Sequence, residues 1–244
     1  MQRQESVAAV VAAGGRGTRF SEGGLPKQYL SLADKPIFIH SVETFAMHPG
    51  ISKLMIVAGE EMHARVKAEL RIYLPNRADD ILLAKGGDTR QESVHSALEQ
   101  LATLPQPPKY VLIHDAARPF ISKEDIDRLL DVLGMHKFCT LAVPVSDTIK
   151  RVKKDVIVET VDRSELYAMQ TPQASDFQTL LDAHRQAKAD GFATTDDVAL
   201  LERQKISVMV VPGSTTNFKI TNPHDIWLAQ ALAAHKADNF GDGS

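Results

Sequence analysis

Between residues 11 and 30 the chain reads VAAGGRGTRFSEGGLPKQYL, a short apolar run followed by glycines and cations. Gly14, Gly15 and Gly17 let the backbone come close to a ligand, and a strand leading into such a loop offers N–H groups to an anion. Arg16, Arg19 and Lys27 add positive charge to the same loop. That density suits a triphosphate better than a lone carboxylate. A solvated turn with ordinary surface cations is the plain alternative, and a short motif of this kind does not decide by itself. The loop fits neither of two common phosphate cradles. A P-loop needs glycine followed by Lys and Ser or Thr, and a dinucleotide fingerprint starting at Gly15 needs a small residue where Phe20 stands.

Two other polar stretches follow apolar runs: GGDTRQESV at 86–94 and HDAARP at 114–119. In open α/β sheets ligands bind beyond the carboxyl ends of the strands, so three such ends point to one crevice. Asp88 also reads as a helix cap. Asp34 lies about twenty residues after the first glycine, the spacing of a ribose-binding acid. It falls in LADKP ahead of a helix rather than at the end of a second strand, so it reads as a turn residue. His114 beside Asp115 has no G-x-S-x-G elbow to serve, and the nine histidines form no H-E-x-x-H pair. No general base stands out. An attacking phosphate monoester would need none, because it is already anionic near neutral pH. The task would then be to hold two anionic groups together and stabilise charge on phosphorus, which suits cations and Mg²⁺.

These residues need elements to hold them. Apolar strands rich in Val, Ile and Leu are expected at 6–11, 53–58, 81–84, 110–113, 139–143 and 207–211, and helices at 37–47, 90–101, 123–134, 175–189, 195–203 and 223–235. The alternation predicts an α/β fold, a mostly parallel sheet with helices on both faces. Asn222 and Pro223 read as the cap and first position of the last helix. DTIKRVKKDVIVETVD at 147–162 breaks the rhythm and predicts a hairpin around KKD. Alternation of apolar and charged residues gives it one apolar face, which needs a surface to lie on, and a second subunit would supply one.

The 244 residues carry a net charge of −3, with 43% hydrophobic and 24% charged residues. This is the composition of an ordinary globular protein, without the broad basic surface of a nucleic-acid binder. Cys139 is the one cysteine, so no intramolecular disulfide forms, and a reducing cytoplasm is the expected setting. VAAVVAA at 7–13 reads as a buried first strand rather than a signal segment, and no apolar run approaches the ~20 residues of a membrane span.

Taken together, AAGGRGTRF, PKQYL, GGDTRQESV, VLIHDAARPF, PVSDTIKR, TVDRSELYAMQTPQ, the TDD at 195–197 and NFKIT resemble, in order along residues 7–228, the 2-C-methyl-D-erythritol 4-phosphate cytidylyltransferases of the non-mevalonate isoprenoid pathway. The resemblance implies a single nucleotidyltransferase domain over 1–244, with a Rossmann-like sheet of the nucleotide-diphospho-sugar transferase type. It also implies a protruding β-hairpin dimerisation arm at about 145–170. The implied reaction joins CTP to methylerythritol phosphate and releases pyrophosphate. Mg²⁺ would be held mainly by the CTP phosphates, with no protein metal site.

Carried over residue by residue, Arg19 and Lys27 match the transition-state stabilisers. Ala12, Ala13, Gly14, Gly15, Gly17, Gly87, Asp88, Ser93 and Ala116 match the CTP side. Asp115, Arg118, Thr148, Arg163, Thr195 and Lys219 match the acceptor side, with Arg163 and Lys219 also acting in catalysis and Arg163 reaching its site across the homodimer. Arg16 lies at a variable place and receives no role. A ribitol 5-phosphate cytidylyltransferase shares this fold and nucleotide and remains an alternative, as does a non-catalytic nucleotide-binding module.

Overall fold

Strand β1 (Val7–Ala12) carries no polar residue, and its side chains alternate into two buried clusters. Val7, Ala9 and Val11 enter one, while Ala8 and Val10 enter the other. A strand covered on both faces requires such a continuous apolar run. The computed structural model describes residues 5–14 and 25–240.

After β1 come a short 3₁₀ turn (Lys27–Tyr29), β2 (Ser31–Leu32), β3 (Lys35–Pro36), α1 (Ile37–Ala46), β4 (Lys53–Ala58), α2 (His63–Tyr73) and β5 (Leu82–Lys85). The middle of the chain forms α3 (Arg90–Ala102), β6 (Tyr110–Asp115), α4 (Lys123–Leu133) and β7 (Phe138–Pro144). The remainder is β8 (Ile149–Lys153), β9 (Val156–Val161), β10 (Tyr167–Asp176), α5 (Phe177–Ala189), α6 (Val198–Arg203), β11 (Met209–Pro212) and α7 (Pro223–Phe240).

Among the described residues the main sheet has the order β11-β7-β10-β6-β1-β4-β5. Its pairings are parallel except those of β10, which runs antiparallel to both neighbours. Helices α1, α2 and α4 bury Phe45, Leu70 and Leu129 on one face, and α3, α5 and α6 bury Leu98, Leu180 and Leu201 on the other. Truncating a fully buried side chain such as Phe45 to alanine costs about 3–5 kcal/mol. From β1 the chain order runs outward through β4 and β5 on one side and starts again at β6 on the other. The β1/β6 junction is therefore the topological switch point, where a ligand crevice opens beyond the strand ends.

Several expectations are corrected. The stretch YAMQTPQASD looks too polar for a sheet interior, yet it forms β10, with Gln170, Thr171, Gln173 and Ser175 buried. Pro172 is tolerated because the register shifts between Met169 and Gln173, where no ladder donor is needed. Helix α5 therefore starts after Asp176, whose carboxylate accepts from Thr179 N–H. Helix α2 was not expected, because its buried stripe is only Val66 and Leu70. Helix α6 begins at Val198 rather than 195, and α7 continues past 235 to Phe240.

Strands β8 and β9 pair antiparallel around Lys154 and Asp155, both at positive φ (49° and 64°) as a two-residue hairpin turn requires. Val152 and Ile157 share one face, and Val156 and Val158 add apolar side chains to the other, beside Lys153. Strand side chains alternate, so Val156 and Val158 stand opposite Ile157, and all three are more than half exposed. Asp34 does lie in a turn, with φ of 65°, between β2 and β3. Among the described residues no helix is long and apolar enough to cross a membrane.

Candidate active site

The end of β1 is held from two directions. Ala13 N–H donates to Val57 O at 2.7 Å, continuing the pairing with β4. The Ala13 carbonyl accepts from the buried Gln28 side chain at 2.6 Å, so the 3₁₀ turn of PKQY is tied to the strand it follows. Gly14 is a close-approach position. A Cβ there would lie 2.9 Å from Ser93 Oγ. That hydroxyl donates to Thr89 O at 2.9 Å and accepts from Gly87 N–H at 3.1 Å. Gly14, Gly87 and Ser93 are thereby gathered at the strand ends, with Ala12 accepting from Ala116 N–H at 3.1 Å.

Helix α3 opens at the same place. Its N-cap is Thr89, in a reciprocal capping box with Glu92 worth about 1 kcal/mol. The reading of Asp88 as the cap is corrected by one residue: its N–H donates to Glu92 Oε2 at 2.8 Å, while its side chain is left exposed. Arg90 follows in the first turn, where the helix dipole disfavours a cation. Two carboxylates compensate. Arg90 Nε donates to Asp115 Oδ1 at 2.8 Å and its Nη1 to Asp197 Oδ2 at 2.7 Å.

Asp115, the last residue of β6, also accepts from Lys219 Nζ at 2.7 Å on its second oxygen. Burial alone would raise this carboxyl's pKa, but the charges of Arg90 and then Lys219, with their hydrogen bonds, hold it well below the usual carboxylate range. Asp197 is likewise held low, against burial, by Arg90 and by its hydrogen bond with His184. Burial would lower the Arg90 pKa, but Asp197 and Asp115 raise it above its ordinary value.

The segment carrying Lys219 is docked across β6's end. Ile220 N–H donates to Ala117 O at 2.8 Å, and Arg118 Nη1 donates to Asn217 O at 2.8 Å. The fully buried Asn217 reaches Thr171 O through Nδ2 at 2.9 Å. Lys27 Nζ donates to Ile220 O at 2.5 Å, so Lys27 and Lys219 approach from distant parts of the chain. His114 is structural. Its Nε2 lies 3.0 Å from Arg118 O and its Nδ1 3.2 Å from Thr171 Oγ1, and burial pushes its pKa down to about 4, which leaves it neutral.

The expected site residues Lys27, Gly14, Gly87, Ser93, Asp115, Ala116, Arg118 and Lys219 thus share the crevice end of the sheet. Thr148 and Arg163 are exposed just outside the two strands of the hairpin, and Thr195 is exposed two residues before Asp197. Arg19, Gly15, Gly17 and Arg16 lie outside the described residues. Arg90, Gln28 and Asp197 fall inside the quoted motifs but receive no role there, and His184 lies outside them. A cation in the first turn of α3 was the available signal for Arg90. Among the described residues no group of three or more His, Cys, Asp or Glu side chains is placed to hold a metal ion.

A mostly parallel sheet with cations gathered at its switch point defines an open α/β fold with a crevice suited to an anionic ligand. Residues 7–235 match the family model of 2-C-methyl-D-erythritol 4-phosphate cytidylyltransferase. The enzymes of that name from Halalkalibacterium halodurans and Salinibacter ruber are each 39% identical, over 227 and 230 residues. The matches cover 93% of this chain in both cases, and 96% and 92% of the relatives. Among solved structures, 4-diphosphocytidyl-2C-methyl-D-erythritol synthase from Anaerococcus prevotii superposes with a TM-score of 0.81 at 27% identity, covering 95% of this chain and 97% of the other. The Thermus thermophilus cytidylyltransferase gives 0.75 at 26% identity, covering 92% and 98%. The chain belongs to the 2-C-methyl-D-erythritol 4-phosphate cytidylyltransferase family.

Proposed function

We propose that the chain transfers the cytidylyl group of CTP to 2-C-methyl-D-erythritol 4-phosphate, forming 4-diphosphocytidyl-2-C-methyl-D-erythritol and pyrophosphate. A phosphate oxygen of the acceptor attacks the α-phosphorus of CTP, and the bond from that phosphorus to the bridging oxygen of the β-phosphate breaks. No proton is removed from the attacking group. The chain's contribution is to bring two anions together and offset charge as it grows on phosphorus.

The observation that carries this reading is the approach of Lys27 to Ile220 O while the neighbouring Lys219 pairs with Asp115 at the β1/β6 switch point. In the proposed site Arg19 and Lys27 stabilise the transition state. Ala12, Ala13, Gly14, Gly15, Gly17, Gly87, Asp88, Ser93 and Ala116 receive CTP through small side chains and backbone groups. Asp115, Arg118, Thr148, Thr195 and Lys219 serve the acceptor.

Mg²⁺ bound with CTP would supply neutralisation of the phosphate charge. The chain's cations carry the rest of the stabilisation.

The unit of function is proposed to be a homodimer of single-domain chains. The hairpin at about 145–170, with valine and isoleucine side chains exposed on its faces, lies on a second subunit, and Arg163 reaches the site across that interface. The cytoplasm is the proposed compartment, where the buried Cys139 thiol stays reduced.

Pyrophosphate release from CTP tests the reading, with methylerythritol phosphate, ribitol 5-phosphate or no acceptor. Release is expected with methylerythritol phosphate. Release with ribitol phosphate alone would reassign the acceptor, and release with neither would leave a binding module.

A further inference from the structure

Behind the site lysine runs a chain of buried charges that the proposed roles do not use. Asp197 is 3% exposed and stands at the N-cap position of α6, yet its side chain makes no capping hydrogen bond. Capping is the usual work of an aspartate there. Its oxygens are instead given to Arg90 Nη1 at 2.7 Å and to His184 Nε2 at 3.0 Å. His184 is buried on α5. The Asp197 N–H donates to Gln173 Oε1 at 2.9 Å, which fixes the backbone as well.

Arg90 divides its planar guanidinium between two carboxylates, Asp197 on one side and Asp115 on the other. Because the fork is rigid, fixing one side orients the other. Asp115 then has one oxygen committed to Arg90 and one left for Lys219. A buried ionic cluster of this kind is seldom more stable than apolar packing of the same volume. Among the described residues the buried Arg90 Nη2 meets no hydrogen-bond partner.

We propose that Arg90, Asp197 and His184 are positioning residues for the transfer: they hold the Asp115 carboxylate so that Lys219 stands where the phosphates bind. The inference rests on the reading of Lys219 as a phosphate contact.

Single-turnover transfer from CTP to methylerythritol phosphate tests it, with each variant made alone and in a Lys219→Ala background. Asp197→Asn, Arg90→Lys and His184→Leu should each slow transfer at least ~10-fold when Lys219 is present and less than ~2-fold when it is absent. His184→Gln, whose amide can replace the Nε2 donor, should stay within ~3-fold of wild type. Arg90→Lys keeps the charge and loses only the fork, so it carries the test if Asp197→Asn does not fold. Equal slowing in both backgrounds would make the cluster merely structural and overturn the inference. So would wild-type rates in all three variants. If Lys219→Ala itself transfers at the wild-type rate, the phosphate-contact reading falls first, and this inference falls with it.

Discussion

Lys219 Nζ sits 2.7 Å from Asp115 Oδ2, closing one side of a carboxylate whose other oxygen is held by Arg90 at 2.8 Å. Two cations on one buried acid give a charge cluster that folding must assemble and catalysis must then use. Asp115→Asn keeps the shape and removes the charge that offsets Arg90 and Lys219. It should cost about 3–5 kcal/mol in urea unfolding. An unchanged unfolding midpoint would mean that the cations find other partners.

Lys27→Ala should lower turnover about 10²–10³-fold, the range seen when one transition-state charge contact is lost. CTP affinity measured by calorimetry should fall much less, because the charge is most useful once negative charge grows on phosphorus. A loss confined to affinity would instead make Lys27 a simple binding residue.

Acid should weaken the fold in two steps of the same sign. The folded His114 pKa near 4 lies below its unfolded value of about 6.5, so the unfolded chain takes up the proton first. Stability is therefore lost as pH falls from about 6.5 to about 4, by about 3 kcal/mol from this group. Below about pH 4 the loss continues, because Asp115 and Asp197 have carboxyls held below their unfolded range. Urea titrations at pH 7, 5 and 4 should give a shallower pH dependence for His114→Gln than for wild type. Parallel curves would contradict the assignment of His114 as buried and neutral.

Gly14→Ala brings a methyl to within 2.9 Å of Ser93 Oγ, tighter than a relaxed contact allows. KM for CTP should rise, and adding Ser93→Ala should recover part of it by making room. If the double variant is no better than the single one, the crowding is elsewhere.

Val156→Lys with Val158→Lys places charge on one exposed face of the hairpin and should shift sedimentation from dimer to monomer with loss of transfer. Mixed heterodimers of Arg163→Ala and Lys27→Ala subunits should regain activity, since one site would receive both side chains intact. Heterodimers that stay inactive would remove Arg163 from the partner's site.

Much of this arrangement is legible in the residues because the same physics writes both. Strand β4 falls at 53–58 as expected from an uninterrupted apolar run, and α3 begins at Arg90 as expected, capped by Thr89 rather than Asp88. Strand β10 hides because its buried Gln170, Thr171 and Gln173 are satisfied by tertiary hydrogen bonds that no local pattern announces. The lysine positions emerge from whole-chain resemblance, whereas the buried links behind them do not. Asp197 and His184 lie 13 positions apart and meet only because α5 packs on α6. Asp88 reads as the cap in place of Thr89 because Asp and Thr both cap well and the two stand side by side.

The central claim, that the acceptor phosphate attacks the α-phosphorus of CTP, can be tested with methylerythritol phosphate carrying ¹⁸O in its phosphate, followed by ³¹P NMR isotope shifts. All of the label is expected in the diphosphate of the cytidylyl product, with unlabelled pyrophosphate. Label in the pyrophosphate, or release of unlabelled CMP in place of the coupled product, would contradict it.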